Sequence, residues 1–317
     1  MVEVRQAAKT PEGDWCMQLT KILHPTDFSE ASRRALPHAL ELARRSSARL
    51  ILTHVRTPYS DDPNRPEYHF VDEGKYSNFI RLELEKAGDR IDADIPFSSI
   101  IARDVSPANG ILRVVEEQKA DLIVMGTHGR AALGHFFLGS VAERVVRHSP
   151  IPVLTVASKR DGYRDNPHYR KILTAFDFSV HSLRAAEWAQ GIAQLYGARL
   201  TVLYVIEQEV HPGFYEMWKV SVADELPTLK DRAHQALAGL LGEQGLYGAE
   251  IVVEVGRGDG RVHRDLCDFV RREEIDLIVM GTYGLTGVEH ALLGSTTERM
   301  VRIAPCPVLT VRRDTQE

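Results

Sequence analysis

One pattern occurs twice in this chain, and it limits the possible folds more than any other feature. An apolar run, Asp121-Leu122-Ile123-Val124-Met125, leads into Gly126-Thr127-His128-Gly129, and nine residues later comes Gly139-Ser140. A helical stretch to His148 and a second apolar run, Pro152 to Val156, complete the unit. The same order returns as Asp276 to Met280, then Gly281-Thr282-Tyr283-Gly284, nine residues, Gly294-Ser295, and finally Pro307 to Val311. Each copy reads strand, glycine-rich loop, helix, strand. Short apolar runs alternating with helical periodicity predict parallel sheets covered on both faces, joined by right-handed crossovers.

The rest of the chain repeats as well. Lys21-Ile22-Leu23-His24-Pro25-Thr26 reads as a first strand ending at Asp27-Phe28-Ser29, and Lys171 to Ser179 matches it. Ser29 is placed to cap a helix running to about Ser46, with Pro37 predicting a kink or a late start. Arg49 to Val55 and Phe97 to Ala102 read as strands; Gly74 to Arg90 and Ala108 to Lys119 read as helices. In the second half, Leu226 to Leu241 reads as a helix, and Gly256-Arg-Gly258-Asp-Gly260 as a turn after a strand. Thr57–Asp72 and Gln208–Ala223 are insertions rich in polar residues or aromatics. Residues 1–157 form the first predicted domain, with a polar extension over 1–19; 158–169 form a polar linker and 170–317 the second domain.

Glycine lets a ligand lie against the backbone, and a helix start offers unpaired amides at the positive end of its dipole. Together they suit an anion, most often phosphate. The alternative is a tight turn, with Ser140 a simple N-cap. Identical spacing in both copies favours the ligand loop. A Walker loop, which must end Gly-Lys-Ser/Thr, is excluded, because these loops end Leu138-Gly139-Ser140 and Leu293-Gly294-Ser295 with no lysine. Gly256 to Arg261 lacks the third glycine of the dinucleotide fingerprint. In an open sheet of this kind, ligands bind beyond the carboxyl ends of the strands where the order reverses. Asp27 and Gly126 would then face one crevice.

Composition narrows the remainder. A net charge of −5 with interspersed signs gives no basic groove for nucleic acid. No apolar run is long enough to span a bilayer, so no membrane association is expected. Cys16, Cys267 and Cys306 make no metal or redox pair, which predicts a reducing cytoplasm. His24, His38 and His54 show no ligand spacing and read as structural or surface residues.

Both halves resemble the universal stress protein family, over residues 20–157 and 170–312. Asp27-Phe28-Ser29, Gly126-x-x-Gly129-(nine)-Gly139-Ser140 and Pro152 to Val156 carry the resemblance, with their counterparts in the second half. It implies two tandem open parallel five-stranded sheets of order 3-2-1-4-5 with helices on both faces. It also implies that the halves pair as a pseudo-dimer through their last strands, and it allows a homodimer of the whole chain. It implies ATP, or AMP or ADP, in each crevice, accompanied by Mg²⁺. Carried onto this sequence, Pro25 belongs to the pocket floor, and Asp27 and Val55 lie near the adenosine end. Met125, Gly126 and Gly129 line ribose and phosphates, and Gly139, Ser140 and Val141 hold phosphates. The second set is Asp177, Val205, Met280, Gly281, Gly284, Gly294, Ser295 and Thr296, with Ala175-Phe176 replacing Pro25-Thr26 at the floor. Helix capping is the competing role for Asp27 and Asp177.

Arg130, with His128 and His135, gives the first cradle a fixed cation, whereas the second has Tyr283, Leu285 and His290 beside Glu289. The first site is therefore predicted to bind triphosphate more tightly. No base stands beside either cradle; Glu143 and Glu298 follow the helix starts by one turn. The expected function is an adenine-nucleotide-binding stress-response regulator acting on an unknown protein partner. The alternatives are a slow ATPase or phosphotransferase and a scaffold with structural nucleotide.

Overall fold

The first and fourth strands of both halves are nearly unbroken apolar runs because each is covered on both faces. Ile22, Leu23, Ile123 and Val124 are completely buried, as are Ile172, Leu173, Ile278 and Val279. The computed structural model describes residues 8–9, 15–16, 18–57, 73–127, 138–157, 163–207, 222–257, 260–283 and 293–312. These fall into two units, Gln18–His168 and Tyr169–Arg313. A short antiparallel pair, β1 (Ala8–Lys9) and β2 (Trp15–Cys16), belongs with the second unit, although in sequence it precedes the first.

The first unit runs β3 (Lys21–Pro25), α1 (Glu30–Ser46), β4 (Arg49–Arg56), α2 (Glu73–Gly88), β5 (Phe97–Arg103), α3 (Pro107–Gln118), β6 (Leu122–Gly126), α4 (Ser140–His148) and β7 (Val153–Val156). Its strand order is β5-β4-β3-β6-β7, with every pair parallel. The second runs β8 (Lys171–Phe176), α5 (Val180–Tyr196), β9 (Arg199–Ile206), α6 (Val222–Glu243), β10 (Glu250–Val255), α7 (Val262–Arg272), β11 (Leu277–Gly281), α8 (Ser295–Ile303) and β12 (Val308–Val311). Its order is β10-β9-β8-β11-β12, again parallel. Each is the 3-2-1-4-5 sheet that the resemblance implies, so the order reverses between the first and fourth strands.

One carboxylate fastens that reversal point at its lower end in each unit. Asp121 Oδ2 accepts from the amides of Thr20 and Lys21 at 2.7 and 2.8 Å. Asp276 Oδ2 does the same for Arg170 and Lys171 at 2.9 and 3.1 Å. At the upper end, Ser29 Oγ caps α1 by accepting from Ser32 N, and Ser179 Oγ caps α5 through Ser182 N.

Two local expectations need correction. Of the kink or late start expected at Pro37, the late start is overturned, since α1 begins at Glu30 and continues through the proline. Its ring removes one amide from the ladder, and the buried face of Ala35, Leu36, Ala39 and Leu42 holds the helix to the sheet regardless. Likewise α6 starts at Val222, four residues before the expected Leu226, and continues through Pro227, which lies beyond the unpaired first-turn amides and so removes one bond from the ladder. Of the turn expected after the third strand of the second unit, Gly258 and Asp259 lie outside the described residues; the Gly256 amide donates to Ile206 O at 2.9 Å, carrying the pairing of β10 with β9 one step further.

Candidate functional site

The reversal point brings the end of β3 beside the end of β6, with Leu23 paired to Ile123. Asp27 and Gly126 therefore border one crevice. Gly126 abuts the first turn of α1: an ideal Cβ there would lie 2.6 Å from Ala31 C and 2.8 Å from Ser32 N. Gly281 stands in the same relation to α5, with a Cβ falling 2.8 Å from His181 C and O. The first glycine of each motif is thus required by helix–strand packing, whatever else lies in the crevice.

Beyond Gly126 the loop is closed by two backbone bonds. Thr127 N donates to Val156 O at 2.9 Å, and Gly139 N donates to Thr127 O at 2.7 Å. The second unit repeats both, Thr282 N to Val311 O at 2.9 Å and Gly294 N to Thr282 O at 2.8 Å. The threonine is the clamp that fixes where the helix begins, and sequence reasoning passed over it. Its signal was the Gly-Thr pair shared by the two copies.

The helix itself starts one residue earlier than a serine cap would allow. Gly139 is the N-cap of α4 and Gly294 that of α8, and neither cap carries a side-chain hydrogen bond. Ser140 and Ser295 are the first helical residues, exposed at the helix mouth, which removes the N-cap reading of these serines. Each start thus joins amides uncapped by a side chain to an adjacent hydroxyl, in a helix of nine residues. That combination suits an anionic group. In α8, Thr297 Oγ1 donates back to Gly281 O at 2.7 Å, a tie that Ala142 cannot make in α4. Val141 and Thr296, both half-buried, occupy the second helical position.

Asp27 and Asp177 are not helix caps. Each Oδ1 accepts from the amide two residues on, Ser29 N and Ser179 N, at 3.0 Å. This turn forces Phe28 and Phe178 into the left-handed region, with φ of 62° and 64°. Pro25 is buried at the end of β3. Met125 and Met280 are buried within the sheet, 5% and 4% exposed. Val55 and Val205 close the second strands; a Cβ on Gly110 of α3 would meet Val55 Cγ1 at 2.5 Å. Their side chains are taken up by packing, so these four residues would offer a ligand mainly backbone. Gly129, Arg130 and Gly284, with His128, His135, Leu285, Glu289 and His290, lie outside the described residues.

The two crevices differ at their rims. In the first, His54 stacks on Phe28, with centroids 4.8 Å apart and planes at 18°, and its Nδ1 donates to Thr26 O at 2.8 Å. In the second, Phe178 meets Phe176 and Tyr204 edge-on at 5.6 and 5.1 Å, and His181 lies 5.3 Å from Tyr283. Phe176 replaces Thr26, Tyr204 replaces His54 and His181 replaces Ala31, making the second rim the more aromatic.

Deeper in the first unit, His24 Nδ1 donates to Val124 O at 2.8 Å. Burial pushes its pKa down to about 4, against the pull of that carbonyl and of Asp27. His24 and His54 hold the frame, as their lack of ligand spacing suggested. Glu143 pairs with Arg147 at 3.0 Å and Glu298 with Arg302 at 2.6 Å, each one turn along its helix. Among the described residues no three metal-ligating side chains cluster. A polar cavity of about 140 Å³ lies at the opposite, amino end of the second sheet, lined by Lys171, Arg199, Glu250 and Arg272. It is separate from the crevice, and its Arg199 and Glu250 pair with each other at 2.7 Å. No described helix is long and apolar enough to cross a membrane.

Comparison with known proteins gives matching results for both halves. The universal stress protein family model matches residues 18–157 and again residues 168–312. A universal stress protein of Methanocaldococcus jannaschii is 34% identical over 149 residues, covering 47% of this chain and 85% of its own. One from Thermus aquaticus is 36% identical over 135 residues, covering 43% of this chain and 96% of its own. The crystal structure of a universal stress protein from Archaeoglobus fulgidus shares the fold, with a TM-score of 0.65 over 94% of this chain and all of that one, at 24% identity.

Proposed function

The chain belongs to the universal stress protein family, with two such domains in tandem, and on that premise we propose that each domain binds an adenine nucleotide, ATP foremost, and that the protein acts as a nucleotide-responsive stress regulator. The observation that carries this reading is the twice-built helix start. A clamped loop delivers a glycine-capped helix to the reversal point of the sheet, and the same backbone bonds recur in both units within 0.1 Å. A turn with no ligand would need neither the clamp nor an uncapped helix at that place.

In this reading the amides of Ser140 and Val141, with the Ser140 hydroxyl, hold phosphate in the first domain; Ser295 and Thr296 do so in the second. Gly129, Arg130 and Gly284 complete the cradles. Asp27 and Asp177, their turns already closed through one oxygen, present the carboxylate near the ribose and base. Mg²⁺ would enter with the triphosphate and be held chiefly by its oxygens. Binding is favoured over turnover because Glu143 and Glu298, the carboxylates in the first turn of each helix, are engaged by Arg147 and Arg302. Phosphoryl transfer to water would require a placed base.

The test is direct. Protein purified without added nucleotide is denatured, and the released small molecules are identified by mass spectrometry. ATP, ADP or AMP in stoichiometric amount supports the reading. No nucleotide, together with no heat of ATP binding by the purified protein, refutes it.

A further inference from the structure

The segment between the two family domains is polar and was expected to act as a plain connector. Its carboxyl half instead lies along α1. Asp165 pairs with Arg34, and its Oδ1 accepts from His38 Nε2 at 2.9 Å. Three residues on, His168 Nδ1 donates to Glu41 Oε1 at 3.0 Å. The chain is also held at Tyr163, whose hydroxyl accepts from Ala157 N at 2.9 Å, and it is shaped by an Asn166 side chain accepting from His168 N at 3.0 Å.

The partners on α1 form one stripe. Arg34, His38, Glu41 and Arg45 are spaced four, three and four residues apart and so share a helix face. His38 is only 1% exposed and Glu41 5%. Arg34 is half-buried and Arg45 exposed, so it is the two buried members of the stripe whose polar atoms are costly to leave without partners. The connector supplies the partners in the right order, the Asp165 carboxylate for Arg34 and His38 and the His168 ring for Glu41. Arg44 and Arg45 complete the shell of Glu41 at 2.8 and 2.7 Å. Burial works against the Glu41 charge, but Arg45, His168 and Arg44 together hold its carboxyl below the usual range. The stripe belongs to the first copy alone: at the equivalent positions α5 has Trp188 for His38 and Gly191 for Glu41.

We propose that residues 163–168 are a charge-locked strap, a discrete docked element on α1 that opens as a unit when the charge match is broken. It is independent of nucleotide binding, so failure of either idea leaves the other standing.

Hydrogen–deuterium exchange of the full-length protein tests it, read at the amides of 164–166, 168 and 169. Asp165→Asn, which keeps the shape and removes the charge, should speed exchange there by at least about tenfold while β3 and β6 stay protected. Arg34→Glu should do the same, and Arg34→Glu with Asp165→Arg should return exchange most of the way to wild type. Equal exchange in wild type and Asp165→Asn overturns the proposal, as does a reversed pair no better protected than Arg34→Glu alone. Should Arg34→Glu lose protection in β3 and β6, and so fail to fold, the Asp165→Asn result alone decides.

Discussion

A Cβ on Gly126 would fall 2.6 Å from the carbonyl carbon of Ala31, in the first turn of α1. The obstacle is backbone, which cannot swing aside as a long side chain could. Gly126→Ala should therefore destabilise the first domain by about 1–3 kcal/mol, the usual cost of overpacking. Gly281→Ala should cost the second domain a similar amount, against His181. Urea unfolding at unchanged m-value measures both. A cost near zero would show that the helix start yields easily and that the first glycine of the motif is free for another purpose.

His24 gives a dependence on pH whose sign is fixed by burial. Unfolded, it takes up its proton near pH 6.5; folded, only near 4. Between those values the unfolded chain binds more protons, so stability is full above about pH 6.5 and is lost as pH falls toward 4. The difference corresponds to about 3 kcal/mol at most. His24→Thr places there the residue that the second domain has at Thr174. Its stability should fall less steeply than wild type between pH 6.5 and 4 in parallel urea titrations. Two curves of equal slope would refute the assignment.

The helix caps should contribute independently of ligand. Ser29 Oγ lies 3.3 Å from Ser32 N, and Ser179 Oγ lies 3.1 Å from Ser182 N. Ser29→Ala and Ser179→Ala should each cost about 1 kcal/mol, read as a drop in the denaturant midpoint of the domain that carries the change. No change in either midpoint would mean that the Asp27 and Asp177 turns hold the helix starts unaided.

The two sites should be unequal. Arg130 is the one fixed cation in the motif residues compared above, and Glu289 the one carboxylate. Titrating ATP into Gly129→Val and Gly284→Val, each leaving one intact loop, should show the first site tighter by about tenfold at low salt. The gap should narrow as salt rises. Equal affinities at low salt would remove charge as the cause.

Much of the architecture could be read before the structure because burial on both faces writes itself as apolar runs. The run Leu122 to Met125 and its copy Leu277 to Met280 located the fourth strands, and the repeat around Asp27 and Asp177 located the first. Helix starts read less well. Pro37 suggested a late start that tertiary packing overrode, and α6 begins four residues before the expected Leu226. The site's clamp at Thr127 and Thr282 works through main-chain atoms, which almost any residue could have supplied, so only the duplication hinted at it. The strap was invisible for a different reason. Asp165 and His168 meet His38 and Glu41 across 127 residues of chain, and no local pattern encodes that pairing.

The most direct measurement bears on the helix starts. Gly139→Asp with Gly294→Asp puts a carboxylate at each N-cap, where it can take the amides that the proposed phosphate would use. Such a residue suits a helix start, so thermal stability should hold or rise slightly. Calorimetry should find ATP bound at both sites of the wild-type chain, and affinity reduced in the double variant on the order of a hundredfold, about 3 kcal/mol per site. ATP bound as tightly by the folded double variant as by wild type would contradict the account, because the phosphates would then lie elsewhere.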